Sequence, residues 1–212
     1  MIVIGKKFKT KSLIKIMKKS NILLVSLIYF LTLGKGFTMQ ADIFVQSTVN
    51  RASTVLASNN SKEKKIEELK SIAKETVDIN GIGLYTLGSI RKTLSDDQLN
   101  EYTRLFNNYF LISFSSRLAE YTNPEIDVFD KEVLNANYTI VNSLLKATND
   151  RPEVKIDWRV YTKDPKNPLI RDLIIEGLSL ARTQKEEFSS ILSSNDNDIN
   201  ALFKSLEEFV KN

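Results

Sequence analysis

Residues 153–162 read EVKIDWRVYT, and their strict alternation leaves this stretch little choice but a half-buried strand. Val154, Ile156, Trp158 and Val160 point one way, and Lys155, Asp157, Arg159 and Tyr161 the other, because successive side chains on a strand take opposite faces. A period of two sustained over eight residues does not fit the 3.6-residue repeat of a helix. Three further strand-like runs surround it: EIDVF (125–129), NYTIVNSLLKA (137–147) and PLIRDLIIE (168–176). The linkers 148–152 and 163–167 have hairpin length, so the sheet is expected to be antiparallel, with one face buried and one wet.

Helical patterns bracket these strands. Phe44, Val45, Val49, Ala52, Val55 and Leu56 recur at three- and four-residue steps and predict a helix ending near Ser58-Asn59-Asn60. Asn60 and Glu63 are placed as a capping pair for a second helix with Ile66, Leu69, Ile72 and Ala73 on its inner face. Residues 76–94 carry Gly81, Gly83 and Gly88 and read as a helix-breaking turn. Ser95 and Gln98 form a capping box that opens the longest helix, which runs to about Tyr121 before Asn123-Pro124 stops it. Two more helices close the chain, from about Leu178 to Ser193 and from about Asp198 to Val210. The expected fold is one α+β domain: N-terminal helices, a curved antiparallel sheet of about four strands, then C-terminal helices.

The chain ahead of this domain is different in kind. Residues 1–41 contain eight lysines and no acid, so the net charge of +4 for all 212 residues conceals 22 basic and 26 acidic residues in 42–212. The lysines precede an apolar run, Ile22 to Leu33, and then small residues and Ala41, the order of a secretory signal peptide. Ala41 suits the last position of a cleavage site, Met39 is large for its place, and Gly34 and Gly36 offer another exit. Twelve helical residues span about 18 Å against roughly 30 Å of bilayer core, which disfavours a permanent transmembrane helix. The expected division is a signal peptide over 1–41, an exported domain over 42–212, and a periplasmic location. A basic arm for nucleic acid would not need the apolar run, so nucleic acid is not an expected partner.

Composition narrows the chemistry. With no Cys there is no disulfide, thiolate nucleophile or lipid-attachment thiol, and with no His the commonest general base is missing. NGIGLYTLGS lacks both the third glycine of a dinucleotide fingerprint, where Thr86 stands, and the Gly-Lys-Ser/Thr of a P-loop. Asp196, Asp198, Asn200 and Glu207 match calcium-loop spacing, but Ala201 replaces the sixth-position glycine and Leu202 and Phe203 continue a helical face, so a helix start rich in Asp and Asn is the better reading. Asp127, Asp157 and Asp172 lie on strands without a catalytic context; Asp172 interrupts an apolar strand as a structural salt bridge does. No metal or cofactor is expected. The aromatic row Phe106, Tyr109, Phe110, Phe114 and Tyr121 fits either a filled core or the wall of an apolar cavity between sheet and helices, and periodicity alone does not separate the two.

Residues 76–121 resemble the MlaC family, also described as the toluene-tolerance auxiliary component of a lipid ABC transporter. The resemblance rests on Asp78, Leu87-Gly88 with Arg91, Ser95 to Gln98, and Phe106, Tyr109 and Tyr121. A second signature is Asp172-Leu173-Ile174-Ile175-Glu176-Gly177-Leu178-Ser179-Leu180, followed by Thr183 and Glu187-Phe188, and KIDWRVYT is similar to a third. The chain departs from the family at Pro168, where many members have Trp, and at Gln184-Lys185, where they have Tyr-Arg.

What this resemblance implies is a periplasmic phospholipid shuttle and not an enzyme. Its partners would be an inner-membrane Mla-type ABC transporter complex and an outer-membrane lipoprotein–porin complex, and its role the maintenance of outer-membrane lipid asymmetry. Face and period then nominate the lipid-binding wall: Val128, Ile140, Val154, Ile156, Trp158, Val160 and Ile174 from the strands, and Phe106, Tyr109, Phe110 and Phe114 from the long helix. Two other readings compete: a small α+β enzyme using carboxylates in a cavity, with Asp172 the acid to test, and a structural adaptor with a filled core.

Overall fold

Four helices come first in the computed structural model, which describes residues 40–211. They are α1 (Ala41–Ala57), α2 (Lys62–Thr76), α3 (Ile79–Thr86) and α4 (Asp96–Leu118), with a 3₁₀ turn at Ile90–Lys92. Their starts follow local chemistry. The Gln98 amide donates to the Ser95 hydroxyl and the Gln98 side chain accepts from the Ser95 amide, the reciprocal capping box expected of SDDQ. At α2 the cap is Ser61, whose hydroxyl accepts from the Lys64 amide, and not Asn60 as the spacing suggested.

The glycine-rich stretch forms helix α3 where a turn was expected. Asp78 caps it by accepting from the Gly81 amide. Gly83 is required by packing: a Cβ there would sit 2.7 Å from the Phe106 ring, so its absence lets α3 lie directly against α4.

The sheet is antiparallel with strand order β1-β2-β3-β4-β5. Its strands are β1 (Ile126–Asn135), β2 (Tyr138–Leu145), β3 (Val154–Tyr161), β4 (Leu169–Ile175) and a two-residue β5 (Leu178–Ser179) beyond the four expected. Strand β1 runs six residues past Phe129, through a polar stretch with no alternation to announce it. Pairing with β2 holds it there, together with Lys131, which donates to the Asp42 carboxylate of α1 at 2.8 Å. The helices α5 (Leu180–Ser193) and α6 (Ile199–Lys211) complete the described residues. Helix α1 packs on β1 and β2, α3 and α5 on β4, and α4 against α2, α3 and α6, which gives a single α+β domain with an open sheet.

One irregularity decides which side chains face inward. Trp158 pairs with Leu173 and Arg159 with Asp172, but Val160 pairs with Ile170, so Arg171 is an extra residue in a β-bulge. Counting by twos from the buried Ile170 nominates Asp172 and Ile174, whereas the bulge puts Leu173 and Ile175 on the Trp158 face. Ile174 therefore lies opposite Asp157 on the other face, a correction to its expected inward position. Ile140 is corrected likewise: it pairs with Arg159, and Val141 takes the inner position opposite Trp158.

The bulged Arg171 is not idle. Its guanidinium donates twice to Asp78 at 2.6 Å and to the Tyr138 hydroxyl at 2.7 Å, and lies 4.0 Å over the Tyr161 ring. With the Asp78 amide bonded to the Ile170 carbonyl, this ties the α2–α3 junction to β4. Asp198 accepts from the Asn200 amide at the start of α6, and Glu207 lies inside that continuous helix, so the residues of the calcium pattern form a helix start and not a loop. The expected signal segment over 1–41 falls almost wholly outside the described residues; only Gln40 and Ala41 belong to them, as the N-cap and first residue of α1.

Candidate functional site

Helix α4 carries a row of aromatics at four-residue steps, Tyr102, Phe106, Phe110 and Phe114, on the face turned to the sheet and α5. The first two are closed into the core, at 0% and 1% exposure. The Tyr102 hydroxyl meets Thr86 Oγ1 at 2.7 Å, and burial pushes the phenol far above its usual titration range. Phe110 and Phe114 stack at 5.3 Å between centroids but are only half-buried, because the layers beside them do not fully meet.

Two cavities lie in that gap. The first, about 150 Å³, is enclosed by α1, α2, the end of α4 and strands β1 to β4; Leu56, Leu69, Ile72, Ala73, Val154 and Ile156 are among its walls. The second, about 180 Å³, lies between α3, α4, α5 and strands β3 and β4, against Ile82, Phe106, Tyr109, Phe110 and Leu180. Val77, Phe114, Trp158, Ile170 and Leu173 line both, so one partition of five side chains separates them. The indole of Trp158 is fixed in that partition: its Nε1–H donates to Ser143 Oγ at 2.8 Å, and the Ser143 hydroxyl donates on to the Ile156 carbonyl. A buried polar atom is thus satisfied without presenting a polar group to the cavities.

Charged walls occur in the second cavity alone of the two. Asp172 is one, with its side chain 2% exposed. Its oxygens accept from the Ser179 hydroxyl (2.6 Å) and the Ala181 amide (3.0 Å), and Arg159 lies 3.6 Å away, so it anchors the first turn of α5 to β4. Arg117 and Glu187 stand at the rim with Ser113, Thr183 and Gln184. Gln184, one of the departures from the family pattern, accepts from the Tyr109 hydroxyl at 2.7 Å and donates to Glu187 at 2.9 Å. Burial raises the Tyr109 pKa and the Glu187 charge adds to this, while Arg117 and the bond to Gln184 oppose it. Lys185, the other departure, lies 5.2 Å over the Tyr85 ring.

Of the nominated residues, Phe106, Tyr109, Phe110, Phe114, Val154, Ile156 and Trp158 line one cavity or both. Val128, Ile140, Val160 and Ile174 line neither. Val160 is on the inner face but fully packed, and Val128 lines a surface groove beside α1. The partition residues Val77, Ile170 and Leu173 went unnominated: Val77 ends a helix, and the bulge hides the phase of β4. The apolar stripes of α1 and α2 were visible, but nothing in them distinguishes cavity wall from core.

The profile of the family described as MlaC protein matches residues 46–208. The chain belongs to the MlaC family. Its fold is also that of a phospholipid-binding protein from Ralstonia solanacearum, solved in complex with a phospholipid: the TM-score is 0.68 at 18% identity, over 81% of this chain and 97% of that one. No curated protein matches the sequence. For this MlaC family member the partitioned apolar gap between sheet and helices is the candidate site, and among the described residues no helix is long and apolar enough to cross a membrane.

Proposed function

We propose that this protein is a periplasmic phospholipid carrier that takes acyl chains into the gap between its sheet and helices. The observation that carries the reading is the pair of apolar cavities sharing one partition of five apolar side chains. Each is smaller than the roughly 300–1,000 Å³ of pockets that bury drug-sized ligands, so tails enter by displacing the partition and joining the two. Two tails of about sixteen carbons present some thirty methylenes, worth on the order of 25 kcal/mol to remove from water. Apolar walls supply that without a nucleophile, metal or general base.

Family membership supports the wider role: lipid moves between an outer-membrane lipoprotein–porin complex and an inner-membrane Mla-type ABC transporter, maintaining outer-membrane asymmetry. A transfer free energy that large makes spontaneous release slow, so docking to those partners drives unloading. The carboxylate of Asp172 supports a carrier over an enzyme, because both its oxygens are committed to holding α5. Seven of the nominated residues, together with Val77, Ile170 and Leu173, form the proposed tail-binding wall. The test is mass spectrometry of phospholipid co-extracted with the purified, denatured protein. Stoichiometric lipid is expected, and a protein that is empty after purification and after incubation with vesicles would refute the reading.

A further inference from the structure

The rim of the second cavity holds two opposite charges that do not neutralise each other. Arg117 sits in the last turn of α4, and Tyr109, Ser113 and Arg117 form a four-residue-spaced row beside the aromatic row. Glu187 projects from α5 across the same opening. Among the described residues the Arg117 side chain has no hydrogen bond or ion pair, while Glu187 accepts only from the neutral Gln184 amide. Both side chains line the same opening as Tyr109, whose phenol feels the two charges in opposite directions.

We infer that this rim selects a zwitterionic phosphodiester head group, with phosphate against Arg117 and ammonium against Glu187. The inference rests on the carrier reading and adds a head-group preference to it. A guanidinium offers a planar fork that matches phosphate oxygens. A lone cation would serve any phospholipid equally well. The nearby carboxylate changes this: it repels lipids with net negative charge and pairs with an amine carried by the same head group. Both side chains are solvent-exposed, so the discrimination is modest, roughly two- to fivefold.

The test loads the protein from vesicles of equimolar phosphatidylethanolamine and phosphatidylglycerol and quantifies bound lipid by mass spectrometry after re-isolation. The wild type should carry roughly two to five times more of the zwitterionic lipid. Glu187→Gln should bring the ratio to that of the vesicles, and Arg117→Gln should lower loading of both lipids. Circular dichroism confirms that each variant is folded. A Glu187→Gln protein that keeps the wild-type ratio, or an Arg117→Gln protein that loads fully, overturns the head-group assignment and leaves the carrier reading standing. A wild type that takes up neither lipid overturns both. If excess inorganic phosphate abolishes the effect of Arg117→Gln, the rim is a free-anion site and the assignment fails.

Discussion

Replacing Asp172 by Ala should loosen the first turn of α5 from the sheet, and the size of the effect follows from the groups left behind. The side chain is 2% exposed and accepts from the Ser179 hydroxyl and the Ala181 amide. Hydrogen bonds to a charged acceptor are worth about 1.5–3 kcal/mol each. Ser179 also accepts from the Arg182 amide, and its half-buried hydroxyl can turn toward water, so its loss falls at the lower end. The Ala181 amide is buried and loses its acceptor outright. Arg159, 42% exposed at 3.6 Å, stays hydrated and adds no more than about 1 kcal/mol. The sum is about 3–4 kcal/mol, which lowers the melting temperature of a domain this size by about 10 °C. Asp172→Asn keeps the shape and one carbonyl acceptor, so it should cost about 1–2 kcal/mol, or about 5 °C. The assay is thermal unfolding by circular dichroism on delipidated samples, since bound lipid would itself raise stability. An Asp172→Ala protein melting within about 2 °C of the wild type would refute the anchoring argument.

Gly83→Ala should destabilise by about 1–3 kcal/mol, because its Cβ would meet the buried Phe106 ring at 2.7 Å; a urea midpoint unchanged from wild type would show that α3 gives way freely. The bond from Lys131 holds the Asp42 carboxyl below its ordinary 3.8, so this contact contributes fully above that value and is lost as pH falls through the lower folded value. Both side chains are about a third exposed, so the gain is below about 1 kcal/mol, and Lys131→Met should shallow the acid limb of stability between those two values; an identical limb would contradict it. Trp158 is the single tryptophan and stands in the partition, so phospholipid with brominated acyl chains should quench intrinsic fluorescence on loading. Loading without quenching would put the tails elsewhere.

Legibility followed the range over which each feature is determined. The SDDQ cap and the alternation of β3 are local, and both appear where the sequence put them. Helix α3 was obscured because Gly83 reads as a breaker, while its reason for being glycine is a ring on another helix. Ile174 was misplaced because three consecutive apolar residues, Leu173 to Ile175, hide the phase that the bulge at Arg171 shifts. The cavities themselves were beyond the pattern. Trp158 and Val160 share a strand face, yet one lines both cavities and the other is fully packed. What separates them is the distance between layers, set by residues far along the chain.

The modest size of the two cavities bears on how a carrier of this fold can work. Thirty methylenes, each occupying roughly the 30 Å³ of a water molecule, fill on the order of 900 Å³. An empty apolar cavity costs about 24 cal/mol per Å³, so a hole of that size held open in advance would cost about 20 kcal/mol. Domains have only about 5–15 kcal/mol of net stability. Holding a dry space of that size open in advance would consume that stability, so walls that yield as tails enter are favoured. Two cavities of about 150 and 180 Å³ divided by Phe114, Trp158 and three aliphatic side chains meet that requirement. The displaced walls are side chains on separate elements (α4, β3 and β4, with Val77 between helices) that can part without breaking the ladder of the sheet. Closure then favours release as filling favours uptake, so the net cost of emptying the gap is the difference between two large and opposing free energies.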